Sequence, residues 1–162
     1  LGKLESRLRG YAAWLPPESC IIVVVDRDDD ECVALKRKLE AAVSRAGLLS
    51  KSNRGEHRWQ VSTRIAIEEL EAWYFGDWEA VAAAYPRVSA SIPEKAPYRD
   101  PDAIAGGTWE AFERVMRTSG YFRQGLMKLE AARAIGGCVE AQRSRSASFR
   151  KLAEVVKEAV AE

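Results

Sequence analysis

Ile21-Ile22-Val23-Val24-Val25-Asp26-Arg27-Asp28-Asp29-Asp30 is the stretch whose reading decides the fold. Five β-branched apolar residues in a row cannot alternate between a dry and a wet face. They predict a strand covered on both sides, the pattern of an interior strand in a parallel sheet. The run stops abruptly at Asp26, and four of the next five residues are acidic. Carboxylates placed at the carboxyl end of a parallel strand occupy the position where open α/β sheets build their sites.

Working outward, Cys32, Leu35, Leu39, Ala42 and Ala46 mark one face of a helix, and Gly47 is placed to end it. A polar stretch from Ser50 to Arg58 leads to Trp59, Val61, Thr63, Ile65 and Ile67, which alternate with Gln60, Ser62, Arg64 and Ala66. That period of two predicts a strand with one polar face, nearer an edge. Upstream, Leu4, Leu8, Tyr11 and Leu15 predict a helix stopped by Pro16-Pro17. Strand, helix, strand in this order predicts an α/β unit with a right-handed crossover.

The second half reads differently. Residues 86–107 hold four prolines and Gly106-Gly107 without apolar periodicity, which predicts a long binding loop or lid. Three helices are expected after it: one capped by Thr108 with Trp109, Phe112, Val115 and Met116, one with Leu126, Leu129, Ala132 and Ile135, and one capped by Ser146 or Ser148 with Phe149, Leu152, Val156 and Val160 inward. The expected architecture is one domain over 1–162, with an α/β part at 1–85, the loop, and a helical part at 108–162.

At 162 residues with 30% charged side chains, the chain has the composition of an ordinary globular protein. No apolar run approaches bilayer length, so no membrane partner is expected. Three scattered cysteines predict a reducing, cytoplasmic setting, and the single His57 excludes multi-histidine zinc sites. The start at Leu1 rather than Met is read as a trimmed N-terminal element. Net charge is +1, but residues 66–84 carry −5 and residues 111–157 carry +6. Such asymmetry suits an anionic partner lying beside a cation-holding acidic site.

The chemistry is concentrated in two acidic clusters. Asp26 and Asp28 can share a divalent cation, with Asp30 beside them, and Mg2+ (or Mn2+) is the cation held by one or two carboxylates plus phosphates. Against this stands a simple helix cap by Asp29 or Asp30. An EF-hand fails, because its required Gly and Glu positions are Glu31 and Arg37. A haloacid-dehalogenase-like phosphatase is a weaker rival. In the second cluster, Glu68 and Glu71 stand three apart on an expected helix and would present paired carboxylates, while Glu69 is read as a solvated first-turn acid. Asp77 is read as the cap of the following helix, and Trp73, Tyr74, Phe75 and Trp78 as core. Lys128, Arg143 and Arg145 are the candidate phosphate-binding residues, since guanidinium groups meet phosphate bidentately. No spacing indicates sequence-specific nucleic-acid readout.

The stretches VVVDRDDD, IAIEELEAWYFGDWEAV, PYRDPDAIAGGTWEAFERV and GYFRQGLMKLEAARAI, followed by RSRSASFRKL, resemble an uncharacterised bacterial family of DUF type. That family is similar to the Toprim superfamily, and within it to the nuclease half of the overcoming-lysogenization-defect proteins. The resemblance implies a Toprim-like (Rossmann-like) α/β fold with a mostly parallel sheet, helices on both faces and a helical C-terminal half. It implies a magnesium-dependent nuclease in which Asp26 and Asp28 fill an Asp-x-Asp pair, with Glu68 or Glu71 as the further acid. It also implies a partner ATPase of AAA or ABC type in a defence-like system. The early Glu of the Toprim pattern has no counterpart before Ile21. The alternative expectation is therefore a non-catalytic binding or regulatory subunit with a decayed site.

Overall fold

β1 (Ile21–Asp26) and β2 (Val61–Ala66) pair side by side in a two-stranded sheet, and the adjoining Ser50–Val61 bridge is parallel. They are joined through α2 (Cys32–Arg45) and preceded by α1 (Leu4–Ala12). The computed structural model describes residues 2–28 and 30–161. Within these the chain is α/β, with α3 (Glu71–Gly76), α4 (Trp78–Ala84), α5 (Thr108–Thr118), α6 (Lys128–Gly136) and α7 (Ala147–Ala161) following the sheet. It groups into two compact units, residues 1–65 with 155–162 and residues 66–154.

The first unit is built on the seam that the apolar pattern of α2 foretells. Leu35, Leu39, Ala42 and Val43 are buried along that helix, and Leu8 of α1 joins Val43, Ala46, Leu48 and Val61 in one cluster, with Ile21 and Val23 against it. Gly47, at φ +75°, ends α2 as expected: the Leu48 N–H reaches back to the Val43 carbonyl and the Gly47 N–H to the Ser44 carbonyl. This pair of bonds satisfies orphan carbonyls at a left-handed residue that only glycine adopts without penalty.

The two strands exchange the environments that their sequences suggest. β1 is half-buried rather than covered on both faces, with Val24 43% exposed. β2, expected nearer an edge, is buried on both faces at Val61, Ser62 and Thr63. At Thr63 the burial is matched by polar partners. The Lys36 ammonium donates to the Thr63 carbonyl at 2.9 Å, and the Thr63 hydroxyl donates to Glu40 at 2.5 Å. A threonine supplied with partners can be buried at little cost. On α1, Tyr11 is exposed, whereas its spacing predicted an inward face.

The second unit carries an aromatic core. Phe75 stacks between Trp78 and Tyr98, with centroids 5.5 and 5.0 Å away, and meets Phe112 edge-on at 6.0 Å. Segment 86–107 contributes to this core instead of forming an open loop. It folds into 3-10 turns at Ile92–Glu94, Ala96–Tyr98 and Pro101–Ala103, and buries Val88, Ile92 and Ile104 in the cluster. Two inward assignments on the helices are corrected. Leu129 of α6 is exposed while Ala131 and Ile135 are buried, and on α7 Val155 is buried while Val156 and Val160 face solvent. On α7 the buried position falls one residue before the expected one, whereas on α6 Ile135 stays inward and Leu129 turns out, because short helices have few positions with which to fix a phase.

Candidate functional site

Asp26 is the last residue of β1 and is exposed. Asp28, also exposed, follows at φ +47°, a left-handed conformation that few non-glycine residues adopt and that Asp tolerates better than most. Asp29 lies outside the described residues. Asp30 is drawn aside by the Lys38 ammonium at 3.2 Å, on a pair that is well exposed on both sides. Asp30 does not cap α2. Glu31 takes that role, its two oxygens accepting from the Val33 and Ala34 N–H groups at 2.9 and 2.7 Å. Those two bonds, Val33 first, hold the Glu31 carboxyl below its ordinary range. With the helix end already satisfied, Asp26 and Asp28 are not needed as caps.

The first unit also holds a polar network that the alternation pattern missed. Glu40 accepts from Thr63 and pairs with Lys36 at 2.9 Å. Burial raises the Glu40 carboxyl, but the Ser50 and Thr63 hydroxyls and the Lys36 cation outweigh it and leave it lowered overall. The one sequence signal was the i,i+4 spacing of Lys36 and Glu40.

In the second unit, the acidic cluster is dispersed into separate tasks. Glu68 lies before α3 at φ +63°, so it and Glu71 are not a pair on one helical face; the helix starts only at Glu71. Glu69, expected in solvent, accepts from the Thr108 hydroxyl at 3.0 Å and the Trp109 N–H at 2.9 Å. It caps α5 from a distant part of the chain, and Thr108 is the first helical residue rather than the cap. Glu71 is buried and meets the Lys128 ammonium at 3.3 Å, and that ammonium also stands 5.1 Å from the centre of the Trp109 ring. Burial, then the negative charge of Glu71, then Tyr85 push the neighbouring Tyr74 hydroxyl up to about 12.

The arginines proposed for phosphate are committed to the protein itself. Arg143 forks onto Asp77 with Nε at 3.1 Å from Oδ1 and Nη2 at 3.0 Å from Oδ2, and also donates to the Cys138 carbonyl. The Asp77 contact leads the causes that raise its already high pKa. Asp77 caps α4 through the Ala80 N–H, as its position predicted, and accepts from the Glu140 N–H at 2.8 Å. Arg145 donates to the carbonyls of Arg99 and Phe75. Ser146 caps α7 by accepting from the Phe149 N–H, and Asp102 gathers the Ser146 and Ser148 hydroxyls with the Ser148 N–H. The Asp102 contacts span 44 and 46 residues, which no local pattern could reveal.

Of the candidate residues, Asp26, Asp28 and Asp30 are neighbours along the chain at the end of β1, with Asp30 turned to Lys38, and Glu71 meets Lys128 in the other unit. Among the described residues no group of three or more His, Cys, Asp or Glu side chains is arranged to hold a metal ion. No helix among the described residues is long and apolar enough to cross a membrane. A family model described as a domain of unknown function, DUF4276, matches residues 1–157. No curated protein and no solved structure matches the chain.

Proposed function

The chain belongs to the DUF4276 family, and from that premise we propose that it cleaves phosphodiesters with a magnesium ion, or manganese in its place, held by Asp26 and Asp28. One observation carries the reading: an exposed carboxylate ends a parallel strand and a second follows it in a left-handed turn, while Glu31 performs the capping. A residue kept in a sparsely populated conformation points toward function when the surrounding structure pays for it. The cation, when bound, polarises a phosphate oxygen and activates water. Asp26 and Asp28 hold it, and Lys36 anchors the adjoining strand to α2. The Toprim likeness, the cytoplasmic setting and the ATPase partner belong to the same proposal.

Titration calorimetry with MgCl2 and with MnCl2 tests it. The D26N/D28N double variant is expected to lose cation uptake, and D28N any cleavage of an oligonucleotide. Equal uptake by the wild type and the double variant sinks the assignment.

A second reading, a binding or regulatory subunit without catalysis, is favoured by two ion pairs: Glu71 is engaged by Lys128, and Arg143 by Asp77. Nucleic-acid binding without cation uptake would select it.

A further inference from the structure

The outward face of α1 carries the most exposed aromatic pair in the first unit. Tyr11 is 42% and Trp14 66% exposed, and their rings touch with centroids 5.3 Å apart, tilted by 53°. Surface aromatics are ordinary singly, but two in contact on a solvent-facing stripe need a reason. Lys3, Arg7, Gly10, Tyr11 and Trp14 recur at helical spacing, so they share one side of the helix and the turn that ends it. Arg7, Gly10, Tyr11 and Trp14 line a shallow groove of about 320 Å³, at the small end of ligand clefts. Gly10 is what opens it, since a side chain there would meet nothing and would fill the notch.

Charge selects the occupant. The stripe holds two cations and no carboxylate; Glu5, the acid within this helix, lies on the opposite side and is paired with Arg9 and Arg45. A second copy docking symmetrically on this face would bring two cationic stripes together with no carboxylate between them. A duplex keeps its base faces stacked inside. A single strand offers both a phosphate backbone for the cations and open base faces for the rings.

We propose that Arg7, Tyr11 and Trp14 form a stacking platform for single-stranded nucleic acid, without sequence preference. The inference goes beyond the cleavage reading by naming a substrate class, and it stands on α1 alone.

The test is fluorescence anisotropy of the full chain in EDTA, with labelled oligothymidine and oligouridine of about 12 nucleotides, within the usual range of single-strand sites. W14A is expected to weaken binding roughly 5- to 150-fold, the effect of losing one base–aromatic stack, while W14F keeps most of it. R7A is expected to reduce the slope of log affinity against log salt by about 0.7. The sugar probes separate DNA from RNA, and either one binding in this way supports the platform. The binding assay runs in EDTA, where the cation site has nothing to hold, and the calorimetry of cation uptake runs without nucleic acid, so failure of the cation site and failure of the platform are read separately. The side chains replaced are exposed, and a circular-dichroism melt verifies folding. Unchanged affinity in W14A, duplex bound as tightly as single strand, or a wild-type dimer that W14A dissociates would each overturn the proposal.

Discussion

Removing the Asp77 carboxylate should destabilise residues 66–154 far more than its single position suggests. Asp77 is 1% exposed and accepts from the Ala80 and Glu140 N–H groups and twice from Arg143. Alanine leaves the α4 cap open, at a cost of about 0.5–2 kcal/mol. It also strands the Glu140 N–H, at about 1–3 kcal/mol if water cannot replace the acceptor. The 3.4 Å bond to Ala80 is long, so the cap loss lies toward the lower end of its range. Together these give a loss of roughly 3 kcal/mol before the ion pair is considered. With a urea dependence of about 2 kcal/mol per molar, the unfolding midpoint should fall by about 1.5 M. D77N retains an acceptor and the cap geometry and should lose distinctly less. Tryptophan fluorescence through a urea titration reads the transition, since Trp73, Trp78 and Trp109 all lie in this unit. A D77A midpoint within about 0.3 M of the wild type, corresponding to well under 1 kcal/mol, would refute the accounting. The same experiment bears on Arg143: if that guanidinium serves structure, R143A moves the midpoint in the same direction.

Two further outcomes follow from local geometry. The Glu31 carboxyl is held below its ordinary value of 4.5 by two backbone donors, so its contribution is complete above about that pH and is lost as pH falls through the depressed folded value. The stability difference between the wild type and E31Q, measured by urea unfolding, should be flat from neutral pH to about pH 5 and shrink below it; a difference independent of pH would contradict the cap. In G76A the new methyl would lie 2.8 Å from Ser144 Oγ and 3.0 Å from Ser146 Cβ. Overpacking of that kind costs roughly 1–3 kcal/mol, so a thermal melt should fall by several degrees, and an unchanged melt would show that the serine turn yields freely.

What the sequence made legible was local. The apolar run ending at Asp26, the phase of α2, its glycine stop, the Asp77 cap and the aromatic core were all readable, because periodicity and capping act within a few residues. What stayed hidden was carried by partners far apart in the chain. Glu69 looked like a solvent-facing acid because the helix end that it satisfies lies about 40 residues on. Arg143 and Arg145 looked available to phosphate because Asp77 and the Phe75 and Arg99 carbonyls lie outside any local window. Glu31 was overlooked because aspartate and serine are the preferred caps, and a stretch of aspartates stood immediately before it. The exchange of environments between β1 and β2 had the same origin. Ser62 falls on the polar face of the alternation, and Lys36 and Glu40, the partners of Thr63, lie 27 and 23 residues away.

α7 spans the division of the chain, and its last turns belong to the unit that begins at the other terminus. There Glu158 accepts from the Trp59 indole N–H and pairs with Lys51, across about a hundred residues. During synthesis the intervening 66–154 segment emerges whole before that carboxylate exists, so the amino-terminal layer must wait with Trp59 unclosed. Residues 1–65 cannot complete their contacts by themselves, and joining Trp59 to Glu158 carries the entropy of closing a loop that encloses the whole 66–154 segment.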